Sequence, residues 1–161
     1  MTTSTSTASA TAGNDLLVSR EDGVLTLTFN RPDFRNAVTS DMLTALGEEL
    51  VAAELDPSIG CIVLTGAGGA FCAGGDVKAT AQGHATGVMM DPLLRMERQR
   101  IAHRATSLRL TQMGKPTIAS LPGAAAGAGM SLALACDMRI ASDKAAMTTA
   151  FAKVGLSGDY G

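Results

Sequence analysis

Apolar strand-like runs alternating with helical ones predict an α/β fold with mostly parallel pairing. Four runs read as strands because each is short, β-branched or alternating, and closed by Gly or Pro: "GVLTLTFNRP", "IGCIVLTGAG", "KPTIASLPG" and "MRIAS". Between them lie segments with apolar residues three and four apart. Composition agrees: 46% of residues are apolar and 17% charged, with 18 glycines, 4 Phe, 1 Tyr and no Trp, so the core is expected from Ala, Val, Leu, Ile and Met.

The 161 residues suffice for one domain with a real core. The opening "MTTSTSTASATAGN" is polar and without periodicity, so residues 1–15 are expected as a disordered tail and 16–161 as the folded unit. The first strand, with Val24, Leu25, Leu27 and Phe29, stops at Pro32. A helix follows in "TSDMLTALGEELVAAELD", capped by Thr39 or Ser40, with Met42, Leu43, Leu46, Leu50 and Val51 at helical spacing. "IGCIVLTGAG" is a continuous apolar run, the mark of a strand buried on both faces. Residues 77–92 lack a period and read as a mobile surface segment. Residues 93–113 form a helix carrying Leu93, Met96, Ile101, Ala105, Leu108 and Met113, ended by Gly114 and Pro116. A strand in "KPTIASLPG", a helix in "AGAGMSLALACD" and a strand in "MRIAS" complete the order. Residue identities alone assert no internal repeat.

A net charge of −2 offers no footprint for nucleic acid. Arg95, Arg98, Arg100, Arg104 and Arg109 are interspersed with apolar residues and read as a solvated helix face, or else as local attraction for an anionic ligand. Cys61, Cys72 and Cys136 sit among apolar or small residues without paired spacing, as buried, reduced thiols do. Nothing resembles a secretory signal or a membrane span, and a soluble cytoplasmic protein is expected. Two histidines and three scattered cysteines give no metal spacing.

Two glycine-rich runs stand out. In "GAFCAGGD" a strand yields to a turn at Gly74 and Gly75, where backbone N–H groups can face a ligand atom. In "GAAAGAGMSLALACD", Gly127, Ala128 and Gly129 open a helix, whose start presents unpaired N–H groups and a positive dipole end. One donor from each would make an oxyanion hole; either run taken alone is read first as close helix–sheet packing. "GAGGAF" and "GAGMSL" each match only the first two glycines of the dinucleotide fingerprint, and the Gly-Lys-Ser/Thr ending of a P-loop is missing.

Taken together, "FNRPDFRNAVTSDM", "IVLTGAGGAFCAGGDV", "KPTIASLPGAAAGAGMSLALACDMRIAS" and "FAKVGLSGDYG" resemble, in order and spacing, the crotonase superfamily, the enoyl-CoA hydratase/isomerase family. The resemblance covers residues 17 to 161 and implies a spiral of repeated ββα units that binds acyl-CoA thioesters, assembles as trimers or pairs of trimers and needs no cofactor beyond the CoA of its substrate. It implies Gly75 and Ala128 as the two oxyanion donors, Arg35 as a contact to the CoA phosphates, and Ala73 where backbone meets adenine. Ala37, Asp76, Val77 and Gly127 are counted as substrate-binding by the same comparison, although Asp76 reads better as fixing its own loop. Relatives continue beyond Tyr160 into further helices, so a C-terminal portion is expected to be missing.

The oxyanion hole does not choose the reaction; acids and bases around the acyl chain do. The two hydratase glutamates correspond to Ser131 and Phe151 here. Asp159 remains, at a loop position where a carboxylate resembles the base of Δ3,Δ2-enoyl-CoA and ring-epoxide acyl-CoA isomerases and the nucleophile of aryl-CoA dehalogenases. It is expected to carry a proton from C2 to C4, with its pKa raised by Phe151 and Val154; the alternative is a solvated Gly-Asp turn. Ser131, in "GMSLA", lacks a marked partner in His84 or His103 and reads as a packed helical serine. Met89 and Met90 line an acyl tunnel or form a loop tip. Isomerase is the first reading, hydratase the second, and a non-catalytic acyl-CoA binder the third.

Overall fold

The computed structural model describes residues 15–76, 91–155, 157, 158 and 160. β1 (Leu16–Glu21) and β2 (Val24–Phe29) pair antiparallel. They are joined by Asp22 and Gly23 at φ 49° and 80°, both in the left-handed region that a two-residue hairpin turn demands. The sequence reading missed β1, because only Leu16 and Val18 of its six residues are buried and its second half is polar. The Asp-Gly pair was its usable signal.

β2 runs parallel to β3 (Cys61–Gly66), β3 to β4 (Thr117–Leu121) and β4 to β6 (Met138–Ala141), giving the order β1-β2-β3-β4-β6. The expected α/β architecture with mostly parallel pairing is therefore present. Asp137 staples the last pair: its carboxylate accepts from the backbone N–H (2.8 Å) and hydroxyl (2.9 Å) of Thr117, and its own N–H donates to that hydroxyl. β3 is wholly buried on one face only. Ile62 and Leu64 are covered, whereas Cys61, Val63 and Thr65 are half-exposed, so burial on both faces does not hold for the described residues.

α1 (Ser40–Leu55) starts at Thr39, whose hydroxyl accepts the Met42 N–H, and it buries Met42, Leu46, Gly47, Leu50 and Ala53. Val51, placed by spacing on that face, is exposed. The expected 93–113 helix is present as α2 (Pro92–His103), a π-helical turn over Arg104–Leu108, and α3 (Arg109–Gln112). Its burial differs from the expectation: Leu93, Met96, Ile101 and Leu108 are exposed, while Thr106, Ser107 and Leu110 are buried. The wider π turn shifts the phase of the faces, and the two buried hydroxyls are satisfied by donating to the Ala102 and His103 carbonyls.

A second, small ladder crosses the molecule. β5 (Ala125–Ala126) pairs parallel with β7 (Met147–Thr148), Cys72 bridges to Ala125, and Val38 bridges to Gly75. Each piece lies between a strand of the large sheet and the helix that follows it: β2, Val38, α1; β3, Cys72 to Gly75, α2; β4, β5, α4 (Ala128–Ala135); β6, β7 and the 3-10 turn Ala150–Val154. This is the spiral of repeated ββα units. The core runs from Phe29, edge-on to Phe71 at 5.7 Å, through Leu25, Leu27, Leu46, Leu64 and Leu132. No helix among the described residues is long and apolar enough to cross a membrane.

Candidate active site

Both glycine-rich runs belong to the small ladder, and the ladder brings them together. Phe71 and Cys72 donate their N–H groups to Ala124 O, and Ala126 donates to Cys72 O. Gly74 sits at φ 100°, and an ideal Cβ there would stand 2.9 Å from Ala126 O and 3.5 Å from Ala128 N. Only glycine allows this approach. Gly127, at φ 51° and ψ −123°, turns the chain into α4.

Two amides are left over. Val38 donates to Gly74 O (2.8 Å) and accepts from Asp76 N (3.2 Å), so Gly75 is straddled and its own N–H points away from Val38. Ala128 is the first residue of α4, where the helix supplies no acceptor. Neither amide has an acceptor among the described residues. Gly75, Asp76 and Ala128 line one cleft of about 1210 Å³ between α1 and α2, whose walls include Asp41, Glu48, Arg95, Arg98 and Tyr160. Two residues from separate loops, each with an N–H that has no acceptor among the described residues, thus line one cavity large enough for a substrate.

The other sequence-derived candidates divide. Arg35 is exposed at φ 50°, with its carbonyl accepting from Ala73 N (2.9 Å), so Arg35 and Ala73 are neighbours. The Ala37 carbonyl accepts from the Arg31 guanidinium (2.7 Å), and Gly127 donates its N–H to Thr148 O (3.0 Å). Asp76 pairs with Arg31 at 3.1 Å, consistent with holding its loop. The Ser131 hydroxyl donates to Gly127 O at 3.4 Å. Val77, His84, Met89, Met90 and Asp159 lie outside the described residues. Within the arginine cluster, Arg100 pairs with Glu97 (3.5 Å) and Arg109 with Glu54, whereas Arg95 and Arg98 line the cleft.

Sequence reasoning missed Arg31 and Asn36. Asn36 is fully buried at φ 58°; its side-chain oxygen accepts from Arg31 N, and its amide donates to Ala67 O and Ala70 O, both at 2.8 Å. Asparagine tolerates that backbone better than other non-glycine residues, and "NRPDFRN" could have signalled a polar knot of this kind. Beneath the site the Cys72 thiol accepts the Gly74 N–H at 3.4 Å; burial pushes it up to about 11, and burial likewise raises Cys136 to about 12. All three cysteines are free, and Cys61 is only half-buried.

The family model described as "Enoyl-CoA hydratase/isomerase" matches residues 19–161. The chain belongs to the enoyl-CoA hydratase/isomerase family. It is 43% identical over 142 residues to a probable enoyl-CoA hydratase of Mycobacterium tuberculosis, covering 88% of this chain and 52% of that one. Identity to the 1,2-epoxyphenylacetyl-CoA isomerase of Escherichia coli is 41% over 141 residues, with 88% and 52% covered. A crystal structure of an enoyl-CoA hydratase from Polaromonas superposes with a TM-score of 0.81 at 37% identity, covering 91% of this chain and 55% of that one. This family member spans about half the length of the curated relatives it matches.

Proposed function

We propose that this family member processes acyl-CoA thioesters, with the N–H groups of Gly75 and Ala128 donating to the thioester oxygen, and that it shifts a double bond with Asp159 as base. The single observation that carries the reading is that Gly75 and Ala128, whose amides have no acceptor among the described residues, line one cleft. Two such donors stabilise the oxyanion of an enolate more than the ground-state carbonyl. In a 3-enoyl thioester, Asp159 takes the C2 proton, the electron pair spreads to C4 through the dienolate, and the same carboxyl returns the proton there, leaving a 2-enoyl thioester. The isomerase among the relatives supports this class of chemistry, and the family resemblance assigns Ser131 and Phe151 to the positions of the two glutamates that would hold a water.

The hydratases among the relatives favour water addition as the second reading. Incubation with 2-enoyl-CoA and 3-enoyl-CoA separates the two by product. Ala128→Pro tests the donor: proline is tolerated at the first position of a helix yet lacks the N–H, so turnover should fall about 10²–10³-fold with the fold kept. Full turnover in Asp159→Asn would remove that residue from the mechanism. Assembly into trimers or pairs of trimers, and a cytoplasmic setting, belong to the same reading, and sedimentation measures the former.

A further inference from the structure

Gly75 poses a physical problem for the site. Glycine has the freest backbone of any residue, and no atom of the described residues, chain neighbours aside, lies within 4 Å of where a Gly75 Cβ would be. No side chain of its own anchors its peptide. A donor must nevertheless be aimed before the reaction if it is to lower the barrier.

We propose that Arg31 and Asp76 form a latch that fixes the direction of the Gly75 N–H, which makes Arg31 a positioning residue for the thioester chemistry proposed above, on which this inference rests. One guanidinium nitrogen donates both to Ala37 O (2.7 Å) and to the Asp76 carboxylate (3.1 Å). Residue 37 adjoins Val38, whose backbone brackets Gly75 by bonding Gly74 O and the Asp76 N–H. The 37–38 segment thus grips residues on both sides of Gly75, with Arg31 closing the grip on the Asp76 side. Rotating the Gly75 peptide breaks at least one of these bonds.

Arg31 is itself held. Its N–H donates to the buried Asn36 side chain (2.9 Å), its guanidinium lies 4.5 Å over the Phe34 ring, and its Nε is 3.5 Å from Asp15. The Arg31 and Asp76 side chains are 14% and 15% exposed, so the pair is partly desolvated and escapes most of the screening of a surface ion pair. The planar fork of arginine serves two acceptors at once in fixed directions; a lysine ammonium does so less well.

The experiment compares the full chain with Arg31→Met, Asp76→Asn and Arg31→Lys. Hydrogen exchange is followed at the Val38 and Asp76 amides, which bracket Gly75, alongside kcat and KM for 3-enoyl-CoA. Arg31→Met and Asp76→Asn should each speed exchange at those amides about tenfold, leaving strand amides of β2 and β3 unchanged. They should also lower kcat about ten- to a hundredfold with KM changed less than threefold, and Arg31→Lys should fall between. Unchanged exchange at Val38 and Asp76 overturns the latch; faster exchange with unchanged kcat overturns its part in catalysis. Should the unmodified chain turn over no enoyl thioester, the proposed function fails, while the exchange measurement still decides the latch.

Discussion

The large sheet and the small ladder solve the same pairing problem at different scales. Strands of four to six residues make the first, with rows such as Leu25, Leu27 and Phe29 fully buried along β2. Pieces of one or two residues make the second: Val38, Cys72, Gly75, Ala125–Ala126 and Met147–Thr148. The inner strands of the large sheet bury large apolar side chains, whereas the ladder buries the smaller Val38, Cys72 and Ala125 and adds close backbone approach at Gly74 and Gly129, the Asn36 knot and the Arg31–Asp76 pair. The largest buried side chains therefore belong mainly to one region and the candidate chemistry to the other.

That division can be broken by mutation, and the largest effect belongs to the large sheet. Leu27→Ala removes a fully buried side chain and should cost about 2–5 kcal/mol in urea unfolding. In the protein that still folds, kcat should stay within about threefold of the original, since β2 lies away from the cleft. A kcat loss as large as that of Ala128→Pro would erase the distinction.

Gly129→Ala should do the opposite. Its Cβ would fall 2.4 Å from Cys72 O and 2.6 Å from Cys72 Cβ, forcing α4 away from the loop that carries Gly75. Overpacking of this kind costs about 1–3 kcal/mol, and here turnover should fall by at least about tenfold as well.

The thiols sharpen the comparison through pH. Burial raises Cys72 to about 11 and Cys136 to about 12 from a starting value of 9.0, so the unfolded chain loses these protons first. Their contribution to stability is complete below pH 9 and declines as pH rises through 9 towards 11–12. The urea midpoint should drop over that window. At pH 8, alkylation should reach half-buried Cys61 in the folded chain and the other two only on unfolding; rapid native labelling of Cys72 would show that the ladder opens readily.

Smallest of all should be Arg20→Met. Its ion pair with Glu49 joins β1 to α1 with the arginine side chain 37% exposed, and its loss should change stability by less than about 1 kcal/mol without touching turnover.

The same division explains what could be read from the sequence. β2, β3, β4 and α1 were legible because each spans enough residues to show a period, as Met42, Leu46 and Leu50 do along α1. The rungs of the ladder carry no period, since a rung of one residue such as Val38 has none. Gly75 and Ala128 came from the glycine runs and the family resemblance, which mark a chain that must be approached closely. Arg31 could not be found that way: its partner Asp76 lies 45 residues on, and nothing in "FNRPDF" announces a bond across that distance. The helix faces of 92–112 were misplaced because one π turn breaks the count that spacing relies on.

The donors proposed at Gly75 and Ala128 are main chain, and this bears on how such a cleft can diverge. A side-chain catalyst is lost by almost any substitution, but of the common residues only proline lacks a peptide N–H. Drift at position 128 can therefore exchange one small residue for another with the donor retained. Selection would act instead on the neighbours that aim the amide, and the walls formed by α1 and α2 can be reworked for new substrates while the proposed donors stay written in backbone.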